Sequence, residues 1–280
     1  MAGSSSPRSI LITGAASGIG RQAAEMLHAR GWQVFAAVRK ADDVDQLSAL
    51  GMTGLHLDYT LEETISAAVD QVLAATDGRL DALFNNGTYG QVGALEDIAT
   101  EHVRAQFESG FFGWHELTRR VLPIMRAQGH GRIVNCSSVL GIIAMPYRGP
   151  YTAMKYALEG YTDTLRMEVE PFGIKVVSIQ PGPITSRFRE TALATFERTV
   201  TLEGSAYEGD YQVQLKRLRS RDKATFELGP EAVTEVLIKA LESPRPKPIY
   251  RVTRPAKAMA IARRLLPTGM LHRMLAKSGQ

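Results

Sequence analysis

Short apolar runs alternate with helical segments along most of this 280-residue chain, and this alternation constrains the fold more than any other feature. The runs have the length of strands and few polar positions, as expected for strands that are buried on both faces of a sheet. They are Ser9–Thr13, Val34–Val38, Leu55–Leu57, Ala82–Phe84, Arg132–Asn135 and Ile174–Ile179. Strands that alternate with helices predict an α/β fold, in which one doubly wound parallel sheet is flanked by helices on both faces.

The turn after the first strand is rich in glycine and precedes a segment, Gly20–Ala29, with apolar residues at helical spacing. A dinucleotide pyrophosphate needs a tight turn, close backbone approach and the free N–H groups of a helix N-terminus. The turn therefore predicts a single Rossmann-type domain that binds a dinucleotide. The predicted contacts are Gly14, Ser17, Gly18, Ile19 and Gly20.

A serine, a tyrosine and a lysine later in the chain have a spacing that suits proton transfer. Tyr151 and Lys155 are four positions apart, so on a helix both side chains lie on one face. A fixed cation lowers the pKa of a neighbouring tyrosine, and each unit requires roughly 1.4 kcal/mol of preferential phenolate stabilisation. Such a tyrosine can exchange a proton with a carbonyl or alcohol oxygen near neutral pH, and Ser138 can hydrogen-bond to the same oxygen.

Together with Asn85-Asn86 and Pro181-Gly182, these motifs follow one another in an order that resembles the classical short-chain dehydrogenase/reductase family, from about Ser9 to Ser243. The sequence Arg148-Gly149-Pro150-Tyr151 looks most like bacterial oxidoreductases similar to the 17β-hydroxysteroid and retinol dehydrogenase branch. The resemblance implies an oxidoreductase of the carbonyl reductase or alcohol dehydrogenase type. Its substrate would be an apolar aldehyde or ketone, or the corresponding alcohol.

The resemblance also implies a role for each residue of these motifs. Tyr151 acts as general acid/base, Ser138 orients the substrate oxygen, and Lys155 lowers the pKa of Tyr151 and contacts the nicotinamide ribose. Other residues are implied in binding the adenine, ribose and nicotinamide of the cofactor: Asp58, Asn86, Pro181, Gly182, Ile184 and Ser186. For Asp58, the alternative is an acid that stabilises a helix N-terminus.

The end of the second strand decides between NAD and NADP. Enzymes that use NAD place a carboxylate there for the ribose 2′-hydroxyl, whereas this chain has Arg39 and Lys40. A guanidinium can pair with a 2′-phosphate through two hydrogen bonds, and Ser17 stands where the resembled family often adds another. We therefore expect NADP(H). The alternative is that Arg39 and Lys40 are only a solvated strand end.

Two segments depart from the resembled family. Its Asn-Asn-Ala-Gly reads Asn85-Asn86-Gly87-Thr88 here, and Gly110 stands where a catalytic asparagine is expected. Glycine retains the backbone carbonyl that this asparagine contributes to a proton relay, but it costs a helix about 1 kcal/mol and loosens the position. A second hypothesis therefore stays open, in which the protein binds a dinucleotide as a sensor or scaffold without turnover.

No linker or internal repeat divides the chain, which predicts one domain. We assign residues 1–8 to a flexible leader and residues 9–250 to the NADP-binding catalytic domain. Within that domain, the polar stretch 187–228 interrupts the alternation, and loops of such length are uncommon unless they are functional. The resemblance implies a lid over the substrate, and the alternative is a solvated helical insertion.

Residues 251–280 form a basic tail. They contain seven Lys or Arg residues and no acidic residue, so with +4 for the whole chain the first 250 residues carry −3. Apolar residues at helical spacing on both sides of Pro267-Thr268-Gly269 predict two short amphipathic helices. Either their apolar stripe packs on the catalytic domain or a partner subunit, or residues 255–280 lie in a membrane interface beside anionic lipid.

The composition excludes several classes of protein. Cys136 is the only cysteine, so an internal disulfide is excluded, and the six histidines lack the spacing of metal ligands. No run of eighteen apolar residues could span a membrane, and the polar N-terminus does not resemble a signal peptide, so we expect a cytoplasmic location. The basic run Lys216–Arg221 lacks the aromatic partners of a nucleic-acid-binding module.

Two further expectations concern apolar surfaces. Apolar residues after Ser138 predict a greasy substrate pocket, unless some of them pack beneath the loop: Val139, Leu140, Ile142, Ile143, Ala144, Met145 and Pro146. The resemblance implies a homodimer through helices within residues 101–125 and 151–170. Their apolar positions exceed what one core-facing stripe needs: Phe107, Phe111, Phe112, Leu117, Leu158, Tyr161 and Leu165.

Overall fold

A computed structural model describes residues 7–220 and 222–278, so residues 1–6 of the predicted leader lie outside the described part of the chain. The described residues contain one wholly parallel sheet with the strand order β3-β2-β1-β4-β5-β6-β7. Its strands are β1 (Ser9–Thr13), β2 (Gln33–Val38), β3 (Thr53–His56), β4 (Ala82–Asn85), β5 (Gly131–Cys136), β6 (Ile174–Gln180) and β7 (Ile249–Arg251). The predicted doubly wound parallel sheet is confirmed, with β7 as a strand that the apolar runs did not predict.

Helices connect the strands and cover both faces of the sheet. They are α1 (Gly18–Ala29), α2 (Ala41–Ser48), α3 (Glu62–Ala75), α4 (Thr100–Phe107), α5 (Gly113–Gln128), α6 (Gly149–Val169), α7 (Phe188–Thr199), α8 (Glu208–Arg219), α9 (Glu231–Glu242), α10 (Arg254–Leu265) and α11 (Thr268–Ser278). Successive residues of β1 point to opposite faces, so Ile10 and Ile12 join one apolar cluster with α1 and α9, and Leu11 joins another with α3 and α5.

The strand order reverses beside β1, because the chain leaves β3 at one edge and returns as β4 on the other side of β1. In open parallel sheets the carboxyl ends of the strands form a crevice at such a switch point, and ligands bind there. Here the crevice lies beyond Thr13 of β1 and Asn85 of β4. The glycine turn and the Asn85–Thr88 segment therefore meet at this edge of the sheet.

The stretch 187–228 is helical and has its own apolar core. Helices α7 and α8 pack against the loop that follows β4 and bury Phe196 and Tyr211 completely. Loop residues Val92, Ala94 and Ile98 supply the opposite side of this cluster. The segment is thus a packed helical unit rather than a solvated insertion.

The tail is continuous with the sheet. Strand β7 crosses the boundary between residues 250 and 251 that the sequence analysis sets, because Tyr250 and Arg251 pair with Ile179 and Gln180 of β6. Beyond it, Leu271 and Leu275 of α11 are buried against Ile143. Part of the apolar stripe of the tail therefore packs on the body of the molecule, as one of its two interpretations predicts, while another part stays exposed.

Candidate active site

The glycine turn wraps closely around the N-terminus of α1. Gly14 and Gly18 have φ values of +65° and +54°, in the left-handed region that favours glycine. A Cβ atom on Gly20 would lie 2.3 Å from the carbonyl oxygen of Gly14, so no side chain fits there. Ser17 begins α1 with an extended backbone, and its side chain makes no capping hydrogen bond. The turn leaves a cradle of backbone N–H groups suited to a pyrophosphate.

The segment after β4 is bonded to the end of β1. The backbone N–H of Asn86 donates to Thr13 Oγ1 over 2.9 Å, and the Asn86 side-chain amide donates to the Thr13 carbonyl over 3.2 Å. Gly87 follows, and a Cβ on Gly14 would lie 2.5 Å from Gly87 Cα. These contacts hold Asn86 beside the glycine turn, consistent with its predicted contact to a ribose.

The other predicted cofactor contacts line the same crevice. Arg39 and Lys40 are exposed at the end of β2, and among the described residues neither side chain makes a hydrogen bond or ion pair. Asp58 instead accepts hydrogen bonds at Oδ1 from the backbone N–H and the hydroxyl of Thr60, at 2.9 and 2.8 Å. The Asp58 carboxylate thus stabilises the turn before α3. A basic, acid-free end of β2 fits a 2′-phosphate.

The loop from Pro181 to Ser186 closes the crevice from the other side. Its start is bonded to the segment after β5, because Val139 N–H donates to the Pro181 carbonyl over 2.8 Å. Its end reaches the glycine turn, where a Cβ on Gly18 would lie 3.0 Å from Ser186 Cβ. Ile184 pairs with Leu228, at the end of the stretch 187–228. The loop therefore connects the glycine turn to that helical unit.

Ser138, Tyr151 and Lys155 converge beside this crevice. Tyr151 and Lys155 lie in the first two turns of α6 and are buried, while Ser138 follows β5 and accepts a hydrogen bond from the Leu140 N–H over 3.1 Å. The Lys155 ammonium donates to the carbonyl of Cys136 over 2.8 Å. It lies 5.6 Å from the centroid of the Tyr151 ring. The sequence-predicted trio is thus assembled from two elements, with Lys155 held by the backbone of β5.

Burial dominates the ionisation of this site in the cofactor-free protein. Burial raises the pKa of Tyr151 well above its usual value, and the Ser138 hydroxyl only partly offsets this. Burial also lowers the pKa of Lys155 to about 8. The expected lowering of the Tyr151 pKa by Lys155 is therefore wrong for this state, because desolvation of a phenolate outweighs a cation that is bonded to a carbonyl instead of the phenol.

Two aromatic residues at the site were not predicted. Trp114 of α5 lies with its ring centroid 4.5 Å from the Lys155 ammonium, and its indole N–H donates to the Gly87 carbonyl over 3.0 Å. Phe188, the first residue of α7, packs edge-to-face on Tyr151 with ring centroids 5.4 Å apart. A Cβ on Gly90 would meet the Phe188 ring at 2.5 Å. Both aromatic residues contact Lys155 or Tyr151 from distant parts of the sequence, so local patterns carry no signal for them.

The two departures from the resembled family contact each other. Gly110 is buried in a π-helical turn, Glu108–Phe112, between α4 and α5. A Cβ on Gly110 would lie 2.8 Å from Thr88 Oγ1 and 2.7 Å from Met154 Cε. The space next to Gly110 is thus filled by Thr88 and Met154. The expected loosening of an α-helix does not apply, since π-turns already interrupt the helical ladder, and they are frequent at functional sites.

Known proteins resemble this chain in both sequence and fold. The family model for short chain dehydrogenases matches residues 8–195. The uncharacterized oxidoreductase YbbO of Escherichia coli K12 is 41% identical over 268 residues, which cover 96% of this chain and 94% of YbbO. Human retinol dehydrogenase 8 is 31% identical over 259 residues, covering 88% and 81% of the two chains. A crystal structure of a short-chain dehydrogenase from Streptomyces avermitilis superposes with a TM-score of 0.77, 31% identity and 92% coverage of both chains.

Proposed function

Because this chain belongs to the short-chain dehydrogenase family of oxidoreductases, we propose that it interconverts an apolar aldehyde or ketone and the corresponding alcohol with NADP(H). The observation that carries this proposal is the convergence of Ser138, Tyr151 and Lys155 beside a glycine cradle that fits a dinucleotide. The cofactor supplies the hydride chemistry when bound. The protein positions the substrate oxygen and manages its proton.

Tyr151 gives a proton to the substrate oxygen in the direction of carbonyl reduction. A raised pKa keeps its phenol protonated at neutral pH, which is the form a proton donor needs. The Ser138 hydroxyl donates a second hydrogen bond to the same oxygen as negative charge develops on it. Lys155 provides a nearby cation, which favours the phenolate left after proton transfer. The same tyrosine gives a proton in carbonyl reduction and, as the phenolate, takes one in alcohol oxidation.

The preference for NADP(H) rests on the exposed end of β2. Arg39, Lys40 and Ser17 offer a guanidinium, an ammonium and a hydroxyl to a 2′-phosphate, with no carboxylate at the strand end to repel it. One charge-assisted hydrogen bond contributes roughly 1.5–3 kcal/mol, or about ten- to a hundredfold in affinity. Arg39→Asp should therefore shift preference toward NAD(H), measured as the ratio of the two dissociation constants. Equal affinity of the unmutated protein for both cofactors would contradict the assignment.

An apolar substrate is supported by the surroundings of Tyr151. Phe188 covers its ring, and Val139 and Leu140 follow Ser138 directly. Four residues of the predicted greasy pocket also pack in one cluster with the tail: Val139, Leu140, Ile142 and Ile143. The name of retinol dehydrogenase 8 points to an apolar alcohol as well. Long-chain aldehydes, retinoids and steroids all belong to the class we propose.

The decisive experiment replaces the proton donor. Tyr151→Phe removes one hydroxyl from a buried ring, so we expect kcat/KM for an apolar carbonyl to fall about 10²- to 10⁴-fold, the usual size of general acid catalysis. Tyr156→Phe, on the same helix but 37% exposed, is the matched control and should retain activity. Wild-type turnover by Tyr151→Phe would refute the assignment. Tight NADPH binding without turnover on broad carbonyl and alcohol panels would instead favour the sensor or scaffold.

We also propose a homodimer through the surface of α5 and α6. Leu117, Leu158 and Leu165 are buried in the protomer's own core and need no partner. Phe112 is 50% exposed and packs edge-to-face on Phe111, beside a surface depression of about 440 Å³ between α5 and α6. The aromatic residues therefore support the dimer better than the leucines do. A monodisperse monomer by light scattering at micromolar concentration would count against it.

A further inference from the structure

The two tail helices have a second apolar side that the body does not cover. Their inner side holds Leu271 and Leu275 against Ile143, with Met259 and Leu266 partly buried around them. Four other large apolar side chains are exposed: Ile261 at 60%, Leu265 at 72%, Met270 at 51% and Met274 at 40%. They form two pairs at i and i+4 spacing, one pair on each helix, so each pair lies on one helical face. We call these four residues the outer face.

Most exposed cations of the tail flank the outer face, whereas Arg263 lies on the opposite side of α10, towards Tyr156 of α6. Arg254, Lys257, Arg263, Arg264 and Arg273 are all exposed, and no acidic residue occurs between Arg251 and Gln280. Within the described residues, none of these five side chains forms an ion pair. Elsewhere on the molecule many exposed basic residues have a carboxylate partner, such as Arg119 with Glu116 and Arg219 with Glu197. Tail charges thus remain available to an external anion.

We propose that the outer face docks this protein on an anionic lipid bilayer, with both short helices lying in the interface. Exposed apolar side chains flanked by lysine and arginine match the two layers of such a surface, acyl chains below and anionic headgroups above. No described helix is long and apolar enough to cross a bilayer, so the contact is peripheral. Nucleic acid offers no apolar layer to the four exposed side chains.

A second copy of the chain is a poorer occupant of this face. A symmetric contact would place the same cations of two tails opposite each other, and like charges repel. An anionic bilayer instead supplies opposite charge to all of them at once. The body, residues 1–250, carries −3, so charge also favours an orientation with the tail toward the lipid and the body away from it.

Docking would bring lipid close to the proposed site. The inner side of the tail rests on Val139 and Leu140, which directly follow Ser138. An apolar substrate dissolved in the bilayer would then reach the crevice without crossing much water. This consequence rests on the proposed function, whereas the docking itself does not.

The test is co-sedimentation of the full chain with vesicles. At low salt, we expect the protein to sediment with vesicles of equal parts phosphatidylcholine and phosphatidylglycerol, and to stay in the supernatant with phosphatidylcholine alone. Binding should fall steeply between 50 and 500 mM NaCl because salt screens exposed charges. A wild-type protein that remains in the supernatant at low salt would overturn the proposal.

Matched variants test whether vesicle binding depends on the tail or on exposed charges and apolar side chains anywhere on the protein. Lys257→Gln/Arg264→Gln should weaken binding about thirtyfold, since each base near an anionic membrane contributes about fivefold. Arg245→Gln/Lys247→Gln removes two exposed charges outside the tail and should not. Ile261→Ser/Leu265→Ser should weaken binding at least tenfold, and Leu50→Ser/Met167→Ser, at exposed positions of the body, should leave it unchanged.

Two readouts keep the result independent of the proposed activity. Circular dichroism and thermal unfolding should match the wild type for all four variants, because none of these side chains is buried. Vesicle binding needs no substrate, so inactive protein that binds would refute the proposed function and leave the docking intact. If the outer-face variants only reduce oligomer size in light scattering and bind vesicles normally, the face joins copies of this chain and the proposal fails.

Discussion

The cofactor cradle and the helical segment 187–228 hold their residues in different ways. In the cradle, which we define as residues 13–20 and 85–88, positions depend on backbone atoms: Asn86 donates to the Thr13 carbonyl, and Gly20 packs on the Gly14 carbonyl. The segment is held by side-chain pairs such as Tyr147–Asp210 at 2.6 Å and Arg189–Glu227 at 3.1 Å. Backbone contacts leave little freedom, whereas side-chain pairs can exchange partners. We infer that the cradle determines whether the protein binds its cofactor and catalyses a reaction. The segment determines which substrate the protein accepts.

The largest expected effect concerns Lys155. This buried cation lies outside the cradle but, like the cradle residues, is held by a backbone carbonyl. Its pKa in the fold, about 8, lies below the ordinary 10.5, so between these values the unfolded chain binds more protons and stability rises with pH. The free-energy cost of burying the protonated ammonium is fully present below pH 8 and absent above pH 10.5. Relative to Lys155→Met, the unfolding free energy should therefore increase by about 3 kcal/mol across this window.

Urea denaturation of the cofactor-free proteins at several pH values measures this difference. Ionisation of the tyrosines away from Lys155 is common to both proteins and cancels in the comparison. A difference between wild type and Lys155→Met that does not change with pH would mean that the folded protein solvates the ammonium, contrary to its burial.

A methyl group tests how little freedom the cradle has. Gly20→Ala places a Cβ 2.3 Å from the Gly14 carbonyl oxygen, so the turn must shift. We expect a loss of about 1–3 kcal/mol in stability and of cofactor binding, measured by urea denaturation and by quenching of protein fluorescence with NADPH. Gly160→Ala, at an exposed position of α6 where the added Cβ would meet no atom within 4 Å, is the control. It should stabilise the protein by about 0.4–1 kcal/mol, and equal effects of both changes would break the contrast.

A smaller effect is expected where the cradle meets the π-turn. Gly110→Asn restores the residue of the resembled family but collides with Thr88 and Met154, so it should lower stability by about 1–2 kcal/mol and reduce kcat. Thr88→Gly/Gly110→Asn removes part of the collision and should recover at least half of both losses. A double-mutant cycle measures the coupling. Additive effects would show that positions 88 and 110 are not coupled through the volumes of their side chains.

The smallest effect should come from the segment 187–228. Phe188→Ala removes one edge-to-face contact with Tyr151, which is worth about 0.5–1.5 kcal/mol. We expect KM for small apolar carbonyls to rise about three- to tenfold, with NADPH affinity unchanged. Phe172→Ala, 45% exposed and outside the site, is the control. A loss of cofactor affinity in Phe188→Ala would mean that the segment also contributes to cofactor binding.

The sequence predicts the cradle far better than its surroundings. Gly14, Gly18 and Gly20 have a fixed local spacing, and the structure has the positive φ values at Gly14 and Gly18 and the close contacts that such spacing indicates. Tyr151 and Lys155 are likewise neighbours on one helical face. In both cases the geometry follows from residues within a few positions of each other, so a local pattern carries the information.

The other parts of the site depend on distant contacts. Strand β7 has three half-exposed or exposed residues and no run of its own, because pairing with β6 defines it. Phe188 reaches Tyr151 only through the packing of α7. The pKa of Tyr151 rises because of burial, which no spacing between Tyr151 and Lys155 can reveal. Such features need the assembled tertiary structure.

The junction between Gly182 and Thr253 has a consequence for synthesis. Thr253 is fully buried, caps α10 through its hydroxyl, and occupies the space where Gly182 would carry a side chain. A nascent chain emerges from its N-terminus, so the ribosome completes the glycine turn and the Tyr151 helix long before Thr253 appears. The loop from Pro181 to Ser186 can settle only after Thr253 has left the exit tunnel. Maturation of the site therefore waits for Thr253, and a chain released before this residue would carry every proposed catalytic residue without the support of that loop.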